Sequence, residues 1–237
     1  MLRHGESEGN VAAAEAHAAG SHVIAVPARD ADVVLTQLGR DQAAAAGSAL
    51  AELPPTDAPE VVLASPYVRA LETAQIARST AGLDIPLVVD ERLRDRELGV
   101  LDRLTTAGVA ARHPEEAERR RWQGKYYHRP AGGESWADVS LRLRSWMADL
   151  RHGFEGKRVM VVSHDVVVTL IRALCEGLDE ATILELARTT PLRNASLSRL
   201  VRHGGAGWSV ATYDEVEHLS RAGLEVTEHR GERHERG

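Results

Sequence analysis

Cysteine is nearly absent from this 237-residue chain, which carries Cys175 alone. A single cysteine cannot form an internal disulfide, and its scarcity fits a reducing compartment. Long apolar runs are also missing, so no segment of the sequence predicts a transmembrane helix. Charged side chains at Arg3, His4, Glu6 and Glu8 interrupt any amino-terminal secretion signal. We therefore predict a cytoplasmic protein with no membrane partner.

Aromatic side chains and positive charge are scarce as well. Phe, Trp and Tyr make up 4% of the residues, and the formal net charge is −6. A general nucleic-acid binder needs a basic surface, so we predict no nucleic-acid partner. Abundant alanine favours helices over an all-β design, and the length suits one α/β domain over residues 1–219. From residue 220 the sequence is mostly Glu, Arg and His, which predicts a disordered charged tail over residues 220–237.

The first ten residues hold a dense group of chemically useful side chains. Arg3 offers a planar fork of donors, His4 is a nucleophile that can be neutral near physiological pH, and Gly5 lets backbone approach an oxyanion. This grouping predicts a site that handles phosphate. The same tripeptide recurs at residues 202–204, but there it leads into a glycine-rich hairpin, so we interpret the second copy as a decoy.

Two further candidates lie where a strand meets a helix. Residues 61–64 are predicted to form a buried strand, after which Ser65-Pro66 supplies a helix N-cap and a first-turn proline, with Arg69 close behind. Residues 159–163 form the clearest buried strand, and His164 follows it. Ligands of open α/β sheets bind at the carboxyl ends of strands, where helix N-termini favour anions. Both side chains are therefore predicted to face the same ligand.

Six segments together resemble the histidine phosphatase superfamily, the phosphoglycerate-mutase-like phosphatases. They are LRHGESEGN at 2–10, LTQLGRDQA at 35–43, SPYVRALETA at 65–74, RLRDRELG at 92–99, GGES at 132–135 and VVSH at 161–164. The resemblance implies an α/β fold, a three-layer α/β/α sandwich with a mostly parallel central sheet. It also implies an inserted helical cap at about residues 100–133 and phosphoryl transfer through a phosphohistidine.

The resemblance assigns roles to individual residues. It implies that His4 is the nucleophile and that a phosphoryl group is surrounded by Arg3, Arg69, a protonated His164 and the neutral donor Asn10. Relatives carry a glutamate, the general acid and base, where this chain has Asp95. Aspartate is one methylene shorter, so either its backbone lies closer to the leaving oxygen or Glu97 takes the role. We favour Asp95 over Glu97, because hydrogen-bond reach comes before pKa.

The cap and one substitution leave alternatives open. As a hypothesis, Arg121, Lys125, Tyr126 and Tyr127 form a lid over a second part of the substrate, and Glu134 reaches the substrate too. A helix with a solvated charged face is an equal interpretation of the first four, and a loop contact of the last. Where relatives have glycine this chain has Asp165, which either orients His164 or points away.

These features favour a metal-independent phosphatase that hydrolyses a small phosphorylated metabolite, with no cofactor and no metal ion. The alternatives are a phosphoglycerate-mutase-type phosphotransferase and a catalytically weak phosphate-binding module. Residues 10–34 lack the aromatic, glycine-containing stretch of the mutases and predict a loop with at most one helical turn. A homodimer is an alternative to a monomer.

Overall fold

A six-stranded sheet forms the centre of the fold in the computed structural model, which describes residues 1–26, 29–204 and 207–228. The strands are β1 (Leu2–Arg3), β2 (Val61–Ala64), β3 (Leu87–Val89), β4 (Val159–Ser163), β5 (Leu197–Arg202) and β6 (Trp208–Glu215). Their order is β3-β2-β4-β1-β5-β6. The first four are mutually parallel, β5 pairs antiparallel with β1, and β6 pairs antiparallel with β5, so the predicted mostly parallel sheet is confirmed.

Helices cover both faces of this sheet. They are α1 (Glu8–Ala18), α2 (Gln37–Ala51), α3 (Val68–Thr80), α4 (Thr106–Arg112), α5 (Pro114–Tyr127), α6 (Trp136–Gly153), α7 (Asp165–Glu176), α8 (Glu180–Thr189) and α9 (Glu217–Arg221). In the described part of the chain, none of them combines the length and apolar character needed to cross a membrane.

The alternation of side chains along β2 explains the three layers. Val61 and Leu63 point into a core shared with α6 and α7. Val62 and Ala64 point into a second core shared with α2, α3 and α9. Successive side chains of a strand face opposite sides, so a strand that is apolar throughout must be covered on both faces. The predicted α/β/α sandwich is confirmed.

Helix α1 replaces the first part, residues 10–18, of the loop predicted over residues 10–34. Its start is fixed by a capping box in which the Ser7 side chain accepts from the Asn10 backbone and the Asn10 side chain accepts from the Ser7 backbone. Five alanines among its eleven residues then favour the helix, since alanine has the highest helix propensity. The prediction relied on amphipathic periodicity, which these residues do not show. It was wrong because this helix forms without that periodicity.

Helices α4 and α5 lie between β3 and α6 in the chain, in the region predicted to be a cap. Thr105 caps α4 by accepting from Gly108 N at 3.0 Å, and its hydroxyl donates to Ser21 O at 2.6 Å. A Cβ on Gly108 would lie 1.9 Å from His22 O, so α4 packs directly on the backbone of the segment before it. Gly124, with φ of 78°, interrupts α5.

The prediction of a disordered tail from residue 220 is wrong for residues 220–228. Leu224 and Val226 pack against the core under α2 and α9. Gln42 Nε2 donates to Thr227 Oγ1 at 3.1 Å, and Thr227 Oγ1 donates to Asn194 Oδ1 at 3.2 Å. A few apolar residues and one hydroxyl are enough to dock this segment despite its charge. Residues 229–237 lie outside the described part of the chain.

Candidate active site

The carboxyl ends of the four parallel strands meet at one edge of the sheet. His4 directly follows β1, and its backbone N–H donates to Ser163 O of β4 at 2.9 Å. His164 directly follows β4, and Ser65 follows β2 with its N–H donating to Val162 O at 3.0 Å. This register brings together the side chains that the sequence placed at strand ends.

The imidazole of His4 is buried and held in one tautomer. Its Nδ1 lies 2.7 Å from Gly5 O, and a carbonyl can only accept, so Nδ1 carries the hydrogen and Nε2 keeps a lone pair. Burial lowers the pKa of His4 well below its ordinary value, and the nearby charges of Arg69, His164 and Arg3 lower it further. The ring is therefore neutral at pH 7 and can act as a nucleophile.

Gly5 serves backbone packing, which corrects the expectation that it makes room for an oxyanion. A Cβ on Gly5 would lie 2.3 Å from Gly39 O, and a Cβ on Gly39 would lie 1.9 Å from Glu6 O. The backbone N–H of Gly5 donates to Thr73 Oγ1 at 3.1 Å. The two glycines let the residues after β1 lie directly against α2, which fixes the position of His4.

His164 lies beside His4 with its ring centroid 5.1 Å away. Its Nε2 is 2.8 Å from Ser65 Oγ, and Tyr67 packs edge-on against the ring. Burial lowers the pKa of His164 well below its ordinary value, and the charges of neighbouring arginines add to this. The ring is therefore neutral in the ligand-free protein, and a bound anion would favour the protonated form that the resemblance implies.

Ser65 was predicted as the N-cap of the next helix, and this is wrong. Helix α3 begins at Val68 with Tyr67 as its N-cap residue. The Ser65 hydroxyl accepts from Tyr67 N at 3.2 Å and contacts His164, so it orients a site residue instead.

Arg69 and Arg3 supply the positive charge. The Arg69 side chain is 5% exposed, and its fork binds Asp30 through Nη1 to Oδ1 at 3.0 Å and Nη2 to Oδ2 at 3.1 Å. Burial opposes its charge, but Asp30 and Asp95 outweigh burial and raise the pKa of Arg69. Arg3 is buried and donates from Nη1 to Leu192 O, and burial lowers its pKa.

The two candidate carboxylates have different surroundings. Asp95 Oδ2 lies 3.0 Å from Arg69 Nη2 and 3.3 Å from His164 Nδ1, and the side chain is 26% exposed. Glu97 Oε1 instead accepts from Tyr67 OH at 2.7 Å. Asp95 therefore contacts two of the residues expected around a phosphoryl group, whereas the side chain of Glu97 contacts Tyr67.

Asn10 is tied into the site by its side-chain oxygen. Oδ1 accepts from Ser7 N at 3.1 Å and from Asn194 Nδ2 at 3.2 Å. Asn194 Nδ2 also lies 3.3 Å from His4 O. With the oxygen held this way, the donor expected of Asn10 would be Nδ2.

The four residues of the predicted lid make contacts within α5 or with α6. Arg121 is 75% exposed and pairs with Glu118 one turn earlier in α5. Lys125 Nζ lies over the ring of Trp136 at 4.7 Å. Tyr126 OH lies 3.1 Å from Ser140 Oγ, and Tyr127 is mainly exposed beside Tyr126. These contacts match the alternative interpretation, in which the four residues lie on a solvated or packed face of a helix.

Glu134 binds loop residues and not the open site. Its Oε1 accepts from Arg94 Nη2 at 2.7 Å and from Arg142 Nε at 2.9 Å. Its Oε2 accepts from Glu97 N at 3.2 Å. These contacts match the loop contact that was the alternative to a lid role.

Asp165 turns away from the ring of His164. Thr169 Oγ1 donates to its Oδ1 at 3.4 Å, and the backbone N–H of Leu192 donates to the same carboxyl group. Burial raises the pKa of Asp165, although the charge of Arg3 opposes the shift. Its carboxyl group thus links the start of α7 to the segment that also binds Arg3.

A cavity of about 270 Å³ lies between the segment at Val23 and the start of the cap. Its walls are formed by Val23, Val100, Asp102, Arg103, Leu104, Arg112 and His113. Burial raises the pKa of Asp102, and the negative charges of Asp30 and Glu97 raise it further. Asp30 also binds Arg69, so this wall of the cavity lies within electrostatic range of that part of the site.

Sequence reasoning missed Asp30, Asn194 and Arg142, all of which contact the site residues or their backbone. Asp30 lies in a stretch without periodicity, and Arg142 lies within an amphipathic helix, so neither carries a local signal. Tyr67 lay inside a quoted motif and could have been found there.

Together, the α/β sheet edge and the neutral imidazole within electrostatic range of two buried arginines define a class, an α/β protein built to bring a nucleophile to an anion. The chain belongs to the histidine phosphatase superfamily, branch 1, whose family model matches residues 1–215. This match confirms the resemblance drawn from the six segments. Together with the solved relatives, it also confirms the prediction that the protein is a histidine phosphatase, which is a phosphoric monoester hydrolase.

Individual relatives carry both phosphatase and mutase names. A probable phosphoglycerate mutase, GpmB, of Salmonella paratyphi C is 29% identical over 95% of this chain and 96% of its own. A mycobacterial glucosyl-3-phosphoglycerate phosphatase is 30% identical, with a TM-score of 0.69 over 91% of this chain and 97% of its own. An alpha-ribazole phosphatase from Shigella flexneri, 19% identical, shares the fold with a TM-score of 0.73 over 90% of this chain and 94% of its own.

Proposed function

We propose that the protein is a metal-independent phosphatase that hydrolyses a small phosphorylated metabolite through a phosphohistidine at His4. One observation carries the proposal: the bond from His4 Nδ1 to Gly5 O leaves Nε2 unprotonated in a ring whose pKa is lowered. A neutral, oriented imidazole is what in-line attack on phosphorus requires.

The reaction has two steps. In the first, the His4 Nε2 lone pair attacks phosphorus, the bond from phosphorus to the ester oxygen breaks, and protonated Asp95 gives its proton to the leaving alkoxide. In the second, Asp95 takes a proton from water, whose oxygen attacks phosphorus as the phosphorus–nitrogen bond breaks. Free phosphate leaves and neutral His4 is restored.

Charge stabilisation comes from residues that converge on the transferred group. Arg3 and Arg69 offset the charge on its equatorial oxygens, and Asn10 Nδ2 adds a neutral donor. His164 is neutral without ligand, and a phosphoryl dianion next to it would raise its pKa and favour its protonated form. His164 thus gains its positive charge when substrate arrives.

The organic part of the metabolite is assigned to the cavity beside Asp102. Arg103 and Arg112 in its wall favour a metabolite that carries a second anionic group or several hydroxyls. A panel of sugar, glycerate and nucleotide phosphates, assayed with the wild type and Arg112→Ala, tests the assignment. An Arg112→Ala variant with unchanged kcat/KM on every member would contradict it.

A phosphoglycerate-mutase-type phosphotransferase is the second candidate, and the probable mutase GpmB among the relatives is the observation that favours it. The products separate the two: a mutase returns an isomerised phosphoester, whereas a phosphatase releases inorganic phosphate. A phosphate-binding module without turnover would do neither.

The first experiment is phosphate release from p-nitrophenyl phosphate in the presence of chelator. The wild type should be active, and His4→Ala should lose at least roughly 1,000-fold, as expected for a lost nucleophile. His203→Ala is a matched control, because His203 has the same neighbours in sequence but is exposed at the end of β5. Activity that chelator abolishes, or that His4→Ala retains, would contradict the proposal.

A further inference from the structure

Arg142, on α6, reaches the backbone of the segment that carries Asp95. Its Nη1 donates to Arg92 O at 2.5 Å, and its Nη2 lies 3.0 Å from Arg94 O and 3.1 Å from Asp95 O. The side chain is 10% exposed. One buried guanidinium thus holds three carbonyl groups within four residues of chain.

Glu134 completes this arrangement from the other side. It binds Arg142 through Oε1 to Nε at 2.9 Å and Oε2 to Nη2 at 3.1 Å. The same Oε2 accepts from Glu97 N at 3.2 Å. The pair therefore fixes the backbone on both sides of Asp95 and neutralises the buried charge of Arg142.

Regular secondary structure does not hold this segment. Residues 94–98 lie between two short 3-10 turns, Glu91–Leu93 and Gly99–Leu101. The Asp95 side chain must still stay within hydrogen-bond reach of the leaving oxygen while contacting Arg69 and His164. A misplacement of about 1 Å in such a group costs roughly 100-fold in rate.

We propose that Arg142 is the positioning residue for the general acid Asp95, acting with Glu134 through backbone carbonyls and not on the substrate itself. The inference rests on the proposed function, because it gives Asp95 the task of protonating the leaving group. It also explains why an aspartate, with its shorter reach, suffices: its backbone is clamped close to the site.

Leaving-group dependence tests this role. p-Nitrophenolate leaves readily without a proton, whereas an alkoxide such as that of glycerol 2-phosphate needs one, so a displaced acid harms the second substrate more. Arg142→Lys keeps the positive charge but loses the planar fork. The quantity to compare is kcat/KM, which reports phosphoryl transfer to His4 and not the later attack of water, a step that both substrates share. We expect kcat/KM on glycerol 2-phosphate to fall by roughly 10- to 100-fold and kcat/KM on p-nitrophenyl phosphate by less than about 3-fold.

Two comparisons make the result decisive. Asp95→Asn should show the same split between substrates, and Arg144→Lys, an exposed arginine two residues along α6, should show none. Equal loss on both substrates, or no loss on either, would overturn the positioning role while leaving the phosphatase proposal intact. A wild type without His4-dependent phosphate release would overturn both, and thermal melting of each variant separates misfolding from misplacement.

Discussion

The guanidinium of Arg69 binds the carboxylate of Asp30 through two parallel hydrogen bonds, at 3.0 Å and 3.1 Å. This fork geometry is also how arginine binds a phosphoryl group. Arg69 is buried, but the Asp30 side chain is 44% exposed and belongs to the short turn Asp30–Asp32. In the ligand-free protein an internal carboxylate thus occupies donors that the substrate would use.

Replacing Asp30 should therefore strengthen binding of phosphate. With Asp30→Asn, the competing charge is gone, and we expect the inhibition constant of inorganic phosphate to fall roughly tenfold, the effect of one charge-assisted hydrogen bond. Competitive inhibition of p-nitrophenyl phosphate hydrolysis measures it. Asp32→Asn, in the same turn but paired with exposed Arg29, is the control and should change little. Weaker inhibition by phosphate in Asp30→Asn would instead mean that Asp30 orients Arg69 for binding.

The two candidate acids should separate in single-turnover assays with an alkyl phosphate. Asp95→Asn removes the group that contacts Arg69 and should slow the chemical step by roughly 100-fold or more, the usual contribution of acid–base catalysis. Glu97→Gln keeps an oxygen that can accept from Tyr67 OH, so we expect less than about a tenfold change. If the Glu97 variant alone fails, Asp95 is not the acid.

The contact between Gly39 and Glu6 should make Gly39→Ala destabilising. A Cβ there would lie 1.9 Å from Glu6 O, so the backbone after His4 would have to move, at a cost of about 1–3 kcal/mol or more in the free energy of unfolding. Gly153→Ala is the matched control, because a Cβ at the end of α6 meets open space. Urea denaturation measures both, and equal stability of the two variants would contradict the close approach.

Local patterns predicted the parts of the fold that local chemistry controls. The apolar run of β4 and His164 after it follow from residues adjacent in sequence. Arg142 and Asp30 could not be found this way, because each acts on a partner tens of residues distant and neither alters the periodicity around it. Ser65 was misinterpreted for a related reason: a serine before a helix caps it in most settings, and only tertiary structure shows that this hydroxyl contacts His164. Thr227 docks a charged segment by the same kind of long-range contact.

Folding stability should decline in mild acid because of the two buried histidines of the site, His4 and His164. The pKa values of His4 and His164 lie well below the ordinary 6.5 in the folded protein, chiefly through burial. As the pH falls through about 6.5, the unfolded chain binds protons that the folded protein does not bind. Each ring then lowers the free energy of unfolding by up to about 1.4 kcal/mol per pH unit. This loss is absent above about pH 7.5, where both states are neutral.

Urea denaturation at pH 7.5 and 5.5 measures the effect. The wild type should unfold at lower urea at pH 5.5, and His4→Gln should show a smaller difference because one of the two buried rings is gone. His203→Gln, at an exposed position, should keep the wild-type difference. If the urea midpoint of the wild type is not lower at pH 5.5 than at pH 7.5, the folded protein protonates these rings as readily as the unfolded chain does. In that case His4 would not be held neutral for attack, and the proposed nucleophile would need another source of activation.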